Sequence, residues 1–255
     1  AHGYAANEHL LEKYGDRVPV RENEWDNRHF WRVSNAEHLE LTENCGIINL
    51  SHFAMYDIEG PDHVELMEWL CAAKIGGDAN IGKGIYTHFL DDEGMVRADF
   101  TAIRMADCIR MINGADAGPR DFHYMRRVAE DKGFDVTITD VTEKYVTIGI
   151  WGPNARENLK KVVENPGGLD AENFPFAAIK PIRIAGKDVT AFRISYVGEQ
   201  GWELHMRYED GLAVWDALRS TGTIAVGVET YANTRRMEKS LRLQNADLLT
   251  EYNLI

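Results

Sequence analysis

The chain has 255 residues, 44% of them hydrophobic and 27% charged, with a formal net charge of −13. That composition belongs to a folded globular protein, not to a disordered or fibrous one, and the length suits one large domain or two small ones. The acidic field repels phosphate backbones and anionic membrane surfaces, which argues against nucleic acid and membrane as partners; a local arginine cluster can still hold a small anion within a Debye length of about 8 Å.

The stretch up to Trp31 is polar with scattered aromatics and reads as a helix followed by an irregular segment. A helix is expected over Ser34 to Asn44, with Ser34 as N-cap and Glu37 completing a capping box. Ile47 to Leu50 and Ala54 to Glu59 read as strands, the second stopped by Gly60-Pro61. Asp62 then caps a helix with apolar positions at Val64, Met67, Leu70 and Cys71, closed by Gly76-Gly77. Strands over Gly84 to Leu90 and Met95 to Met105 flank the turn Asp91-Asp92-Glu93-Gly94. A strand from Cys108 to Asn113, a helix from Pro119 to Lys132, and strands at Val136 to Thr139 and Tyr145 to Ile150 complete this block.

Trp151-Gly152-Pro153 opens a helix running to Glu164, and Asn165-Pro166-Gly167-Gly168 breaks it. Strands at Ile179 to Ile184 and Asp188 to Ile194 flank Ala185-Gly186-Lys187, and a further half-buried strand starts at Ile194, interrupted by Gly198 and Gly201. Helices are expected from Asp210 to Ser220 and near Thr230 to Leu243, with the apolar Ala225-Val226-Gly227 between them. Helices mixed with antiparallel hairpins, without repeats or long linkers, place the chain in the α+β class.

Several chemistries have no signal. There is no Walker loop, no G-x-G-x-x-G, no H-E-x-x-H and no G-x-S-x-G, so neither a dinucleotide, a metal nor a serine nucleophile is indicated. Cys45, Cys71 and Cys108 form no CxxC pair and are odd in number, which speaks against a disulfide framework and for a reducing compartment, the cytoplasm or, in a eukaryote, the mitochondrial matrix. No apolar run approaches the roughly 18 residues that span a bilayer. Ala1 in place of an initiator Met points to processing or to a fragment.

Three positions invite a functional reading beside a plain one. Asp99 shares a strand face with Arg97 and Thr101, as a solvated hairpin face would arrange them. Glu203 lies between Trp202 and Leu204, with Tyr196 and Gln200 able to share its side, and a carboxylate there can accept parallel N–H bonds from a flat heterocycle. Arg235 and Arg236 point about 100° apart on a helix, so that one can face a site and the other water, while Arg235 and Glu238 can equally form a surface ion pair.

Five stretches together resemble the folate-binding aminomethyltransferase family, comprising the glycine-cleavage T-protein and the folate modules of dimethylglycine and sarcosine dehydrogenases. They are CGIINLSHFAMYDIEGPD (45–62), DDEGMVRADFTAI (91–103), the GPNAR of WGPNAR (151–156), SYVGEQGWELH (195–205) and RRMEKSLRLQNADLLTEYN (235–253), and the likeness runs from about Glu37 to the end. The resemblance implies that Glu203 binds the pterin ring of tetrahydrofolate, that Tyr196 lines the same pocket, that Arg236 borders it, and that Asp99 assists proton transfer at the reacting nitrogens. Ala98-Asp99, where T-proteins carry paired acids, is similar to the dehydrogenase-type modules.

The resemblance also implies two interleaved antiparallel-sheet lobes, with residues 58–144 inserted as a second domain into a discontinuous first domain of residues 1–57 and 145–255, and without the C-terminal β domain of the family. The implied activity is transfer of a methylene or aminomethyl unit from an N-methylamine-derived donor, forming 5,10-methylenetetrahydrofolate. Methyl transfer to tetrahydrofolate by a demethylase, and a folate-binding scaffold without catalysis, are the alternatives. The implied partners are the small-molecule donor and a flavoprotein dehydrogenase domain or subunit.

Overall fold

The computed structural model describes residues 6–18, 30–114 and 116–248. Their contacts separate two compact units that interleave along the chain: the first draws on Ala1–Asn49, Thr147–Phe176 and Pro181–Leu241, the second on Leu50–Val146, Ala177–Lys180 and Arg242–Ile255. In chain order, the first unit opens with helices α1 (Leu10–Tyr14) and α2 (Trp31–Glu43) and strand β1 (Gly46–Asn49). The second unit follows with β2 (Ala54–Glu59), α3 (His63–Leu70), β3 (Lys83–Leu90), β4 (Val96–Arg104), β5 (Cys108–Asn113), α4 (Gly118–Lys132) and β6 (Thr137–Asp140). Then come β7 (Tyr145–Trp151), α5 (Ala155–Lys160), β8 (Ile179–Ile184), β9 (Lys187–Phe192), β10 (Gly201–Arg207), α6 (Gly211–Ser220), β11 (Ile224–Ala225), a π-helical stretch Glu229–Arg235 and the single turn α7 (Arg236–Glu238).

The second unit is a five-stranded sheet in the order β3-β4-β5-β2-β6, antiparallel throughout. Alternation in β4 decides its two faces: Val96, Ala98, Phe100 and Ala102 are buried, and Ala98, Phe100 and Ala102 pack with Leu66 and Met67 of α3 and Met125 of α4. Asp99 therefore stands on the face away from those helices, the face on which Met55, Ile103, Ile112 and Val141 form a smaller cluster. The turn over Asp91–Gly94 forms as expected, with Asp91 Oδ1 accepting from the amides of Glu93 and Met95.

The first unit carries a six-stranded sheet, β11-β1-β7-β10-β9-β8, in which β1 pairs parallel with β11 and antiparallel with β7. Every residue of β10 from Gly201 to Met206 is buried, so both faces of this strand are covered. Gly201 is required by a close approach: a Cβ there would stand 1.9 Å from the carbonyl oxygen of Ile150. The two sheets and their helices make an α+β protein.

Several element ends differ from expectation, each for a tertiary reason. α2 begins at Trp31, ahead of Ser34, whose amide already donates to Phe30 inside the helix. Glu37 makes no capping box; it is 6% exposed and accepts from the Gly227 amide at 2.9 Å and from Thr230 Oγ1 at 3.0 Å. Asp62 sits at the N-cap of α3 without capping it, because its carboxylate accepts from the Asp135 amide at 2.8 Å. α3 stops at Leu70, ahead of Gly76-Gly77, where Cys71 turns extended to bridge Phe89. α5 ends at Lys160, short of Glu164, and the last helix ends at Glu238, short of Leu243, with Ser240 at φ +56° turning the chain.

Candidate functional site

In the first unit, the segment Ser195–Gln200 is not strand. Gly198, at φ +80°, turns the chain, and β10 begins only at Gly201. The turn is anchored on one side by Trp151, whose indole N–H donates to Ile194 O at 2.7 Å, and at its end by Gln200 O, which accepts from the Gly152 amide. Arg235 anchors the other side. Its guanidinium donates to Val197 O at 3.2 Å, to Glu199 Oε1 at 2.8 Å and to Thr42 Oγ1 at 2.7 Å, and pairs with Glu238.

The expectation that one of the two arginines faces water is corrected: Arg235 is 0% and Arg236 5% exposed. Arg235 is held between α2 and the 195–200 loop, through Thr42, Val197 and Glu199. The Arg235–Glu238 contact is consequently an interior pair on the arginine side. Arg236 donates to the carbonyls of Ala232 at 2.7 Å and Leu241 at 3.1 Å, tying its own turn together.

The Tyr196 ring packs against Tyr231, centroids 5.3 Å apart, and Tyr231 stacks on Trp151 at 5.4 Å with 25° between planes. These three rings form an aromatic row beside Glu203. Glu203 is buried, and no described residue donates a hydrogen bond to its carboxylate; His205 Nε2 stands 3.6 Å from Oε2. Burial pushes the Glu203 carboxyl up to about 7. The Tyr231 hydroxyl is held protonated by burial and by the neighbouring Glu203 charge. On the same strand face, His205 is 3% exposed and its Nδ1 is 2.9 Å from Thr147 Oγ1 of β7.

A largely buried carboxylate to which no described residue donates, its side chain still 12% exposed, is left to water or a ligand for its donors. A flat heterocycle edged with amino and N–H groups meets that need, and the aromatic row offers it a stacking surface. The residues present thus fit the pterin of a folate. Among the described residues no group of three or more His, Cys, Asp or Glu is arranged to hold a metal.

Asp99 belongs to the second unit. Tyr86 Oη donates to its Oδ2 at 2.8 Å, and His88 is its direct partner across the β3–β4 ladder. Burial raises the Asp99 carboxyl above its ordinary range, opposed by the Tyr86 hydrogen bond and by His88. Burial lowers the imidazole of His88. Gln244 runs its side chain along β4, accepting from the Asp99 amide at 3.2 Å and donating to Arg97 O at 3.0 Å. The Asp99 carboxylate is half-buried: it accepts one side-chain hydrogen bond, from a Tyr86 that is itself 50% exposed, and has His88 opposite it across the ladder.

Sequence reasoning missed Tyr231, Trp151, His205, Tyr86, His88 and Gln244. His205 was within reach of it, since period two puts it on the face of Glu203. Tyr231 and Gln244 carry no local signal, as they reach their partners only through the fold.

The profile of the GCVT N-terminal domain family matches residues 6–255, farther toward the N-terminus than the sequence motifs extend. Mitochondrial dimethylglycine dehydrogenase of Rattus norvegicus is 31% identical over 93% of this chain and 27% of its own length. The aminomethyltransferase of Paraburkholderia phymatum is 25% identical over 88% of this chain and 60% of its own. The crystal structure of glycine cleavage system aminomethyltransferase T from Bartonella henselae shares the fold, with a TM-score of 0.74 and 20% identity over 96% of this chain and 65% of that one. The chain spans about a quarter of the dehydrogenase relative's length.

Proposed function

The chain belongs to the GCVT N-terminal domain family, a family of folate-dependent aminomethyltransferase type, and on that premise we propose that it binds tetrahydrofolate and transfers a one-carbon unit to it. The observation that carries this reading is Glu203, a buried carboxylate lacking a hydrogen-bond donor beside the row Tyr196, Tyr231 and Trp151. Glu203 accepts from the amino and N–H edge of the pterin, and the aromatic row covers it and keeps water out. Arg236, locked by two backbone carbonyls, borders the pocket.

Bound tetrahydrofolate supplies the nucleophilic amine nitrogens. As the two new C–N bonds to the carbon form and the donor's C–N bond breaks, one N–H proton goes to the departing amine and Asp99 takes the other, its charge favouring a cationic one-carbon donor. Tyr86 holds the accepting oxygen in place. The donor is an N-methylamine-derived or aminomethyl compound, in keeping with the name of the rat relative, and the product is 5,10-methylenetetrahydrofolate. A flavoprotein dehydrogenase domain or subunit supplies the oxidised donor.

A carboxylate held as Asp99 is favours catalysis over a scaffold that only binds. Calorimetric titration of tetrahydrofolate into the protein and into Glu203→Gln tests the reading. Binding by the unsubstituted protein that weakens roughly 5- to 150-fold in the variant is expected, the equivalent of about 1–3 kcal/mol. Equal affinities would remove Glu203 from the site.

A further inference from the structure

Glu203 and His205 are separated by one residue on β10, face the same side, and are 12% and 2% exposed at their side chains, with Nε2 3.6 Å from Oε2. An imidazole and a carboxylate this close, both withdrawn from water, are placed to share a proton. The far nitrogen of the ring meets Thr147 Oγ1 at 2.9 Å. The Thr147 hydroxyl can accept from Nδ1–H in both the neutral and the charged ring, so that the proton is gained and lost at Nε2, the nitrogen that faces Glu203.

We propose that His205 is a positioning residue for Glu203, which shares one proton with that carboxylate and thereby keeps it ready to accept hydrogen bonds from a donor-edged heterocycle, with Thr147 accommodating both states of the ring. The balance is simple. Without ligand the pair holds a single proton, on the carboxyl or on the imidazole. When two N–H groups of the heterocycle reach Glu203, the carboxylate is ionised and the proton rests on His205 Nε2, so that no proton leaves the protein.

The remaining neighbours of Glu203 do not compete for this role. On the π-helical stretch, Tyr231 keeps its hydroxyl proton. Tyr196 lies against Tyr231. On β9, the residue opposite Glu203 is Phe192, and opposite His205 is Thr190. Among the described residues no lysine or arginine pairs with Glu203.

Without His205 the buried carboxyl has no imidazole to take its proton, and binding to the ionised form must expel that proton to solvent. The proposal rests on the folate reading for its ligand, and the test separates the two. Tetrahydrofolate is titrated calorimetrically into the protein and into His205→Gln, from about pH 6 to about pH 8, in buffers of different ionisation enthalpy. The unsubstituted protein is expected to bind with flat affinity and no net proton exchange. His205→Gln is expected to lose affinity as pH falls, approaching ~10-fold per pH unit, and to release one proton on binding where the carboxyl is protonated. The same slope in both proteins overturns the proposal.

Carboxyl-carbon and imidazole-nitrogen resonances of the ligand-free, unsubstituted protein give a second readout that needs neither folate nor a variant. Glu203 and His205 are expected to move together at shared midpoints, and separate, independent midpoints overturn the proposal even where folate binds. If tetrahydrofolate binds to neither protein, the folate reading fails while shared midpoints still uphold the pair.

Discussion

Tyr231 lies with its ring 5.3 Å from that of Tyr196, although one residue comes from a π-helical turn and the other from a glycine-bent loop. A π turn carries one more residue per hydrogen-bonded ring than an α turn, and such insertions are frequent at functional sites. Here the widened stretch places Tyr231 between Tyr196 and Trp151 and, at its last residue, Arg235 against the loop that carries Tyr196. Removing the Tyr231 ring opens the interior: Tyr231→Ala is expected to lower stability by about 3–5 kcal/mol in urea unfolding and to weaken tetrahydrofolate binding. Tyr231→Phe keeps the stacking surface and is expected to bind nearly as the parent does. A Phe variant as weak as the Ala variant would shift the role from the ring to the hydroxyl.

Arg235 is expected to be a stability residue of the site loop. Arg235→Met removes the donor to Glu199 and Thr42 while Glu199 keeps Lys239 at 3.7 Å, and should cost about 1–3 kcal/mol, the usual loss of charge-assisted hydrogen bonds. Adding Glu199→Gln should recover part of that loss, which a double-mutant cycle in urea measures. Strict additivity of the two changes would show that the pair is not coupled.

Asp99→Asn is expected to reduce one-carbon transfer by at least ~100-fold, the lower range for a lost general base, while tetrahydrofolate still binds. Single-turnover measurements beside calorimetry separate the two effects. Unchanged turnover in the variant would leave Asp99 as a structural residue.

The pH dependence of transfer follows from the direction of the Asp99 shift. Burial raises this carboxyl, so its ionised, proton-accepting form appears only above the ordinary aspartate range, and activity should fall as pH drops through that raised value. Tyr86 opposes the rise by bonding to the charged form. In Tyr86→Phe the acid limb of the rate profile should therefore move to higher pH. A limb that stays in place would show that another group governs it. The same sign applies to folding: Asp99 in its protonated form adds no penalty below its unfolded value, and the penalty grows as pH rises through the folded one, so Asp99→Asn should gain stability relative to the parent toward neutral pH.

Gly201→Ala is expected to disrupt the first unit, because the added methyl would stand 1.9 Å from Ile150 O and 2.5 Å from the Trp151 ring. Loss of the cooperative transition, or a fall of several kcal/mol in urea on the scale of an overpacked core, would agree. A mild effect would mean that β7 and β10 can part locally.

The sequence by itself determined what depends on neighbours along the chain. The β3–β4 hairpin, the helix expected from Pro119 to Lys132 and found as Gly118–Lys132, the α+β mixture and the family motifs are written in period, turn residues and order. Period two also put Asp99 on the opposite face from Ala98 and Phe100, where the structure has it. Only the tertiary structure decided which faces are covered. Glu203 is buried because both faces of β10 are enclosed by elements distant in sequence, and alternation cannot report that. Ser34 lost its cap because burial of Trp31 and Val33 carried the helix past it, and Glu37 was drawn to the Gly227 amide. The arginine expected in water is buried because Val197, Glu199 and Thr42 converge on it. Local hydrogen bonding and side-chain period are encoded within a few residues; desolvation, and every charge state that depends on it, is set by whatever the rest of the chain brings alongside.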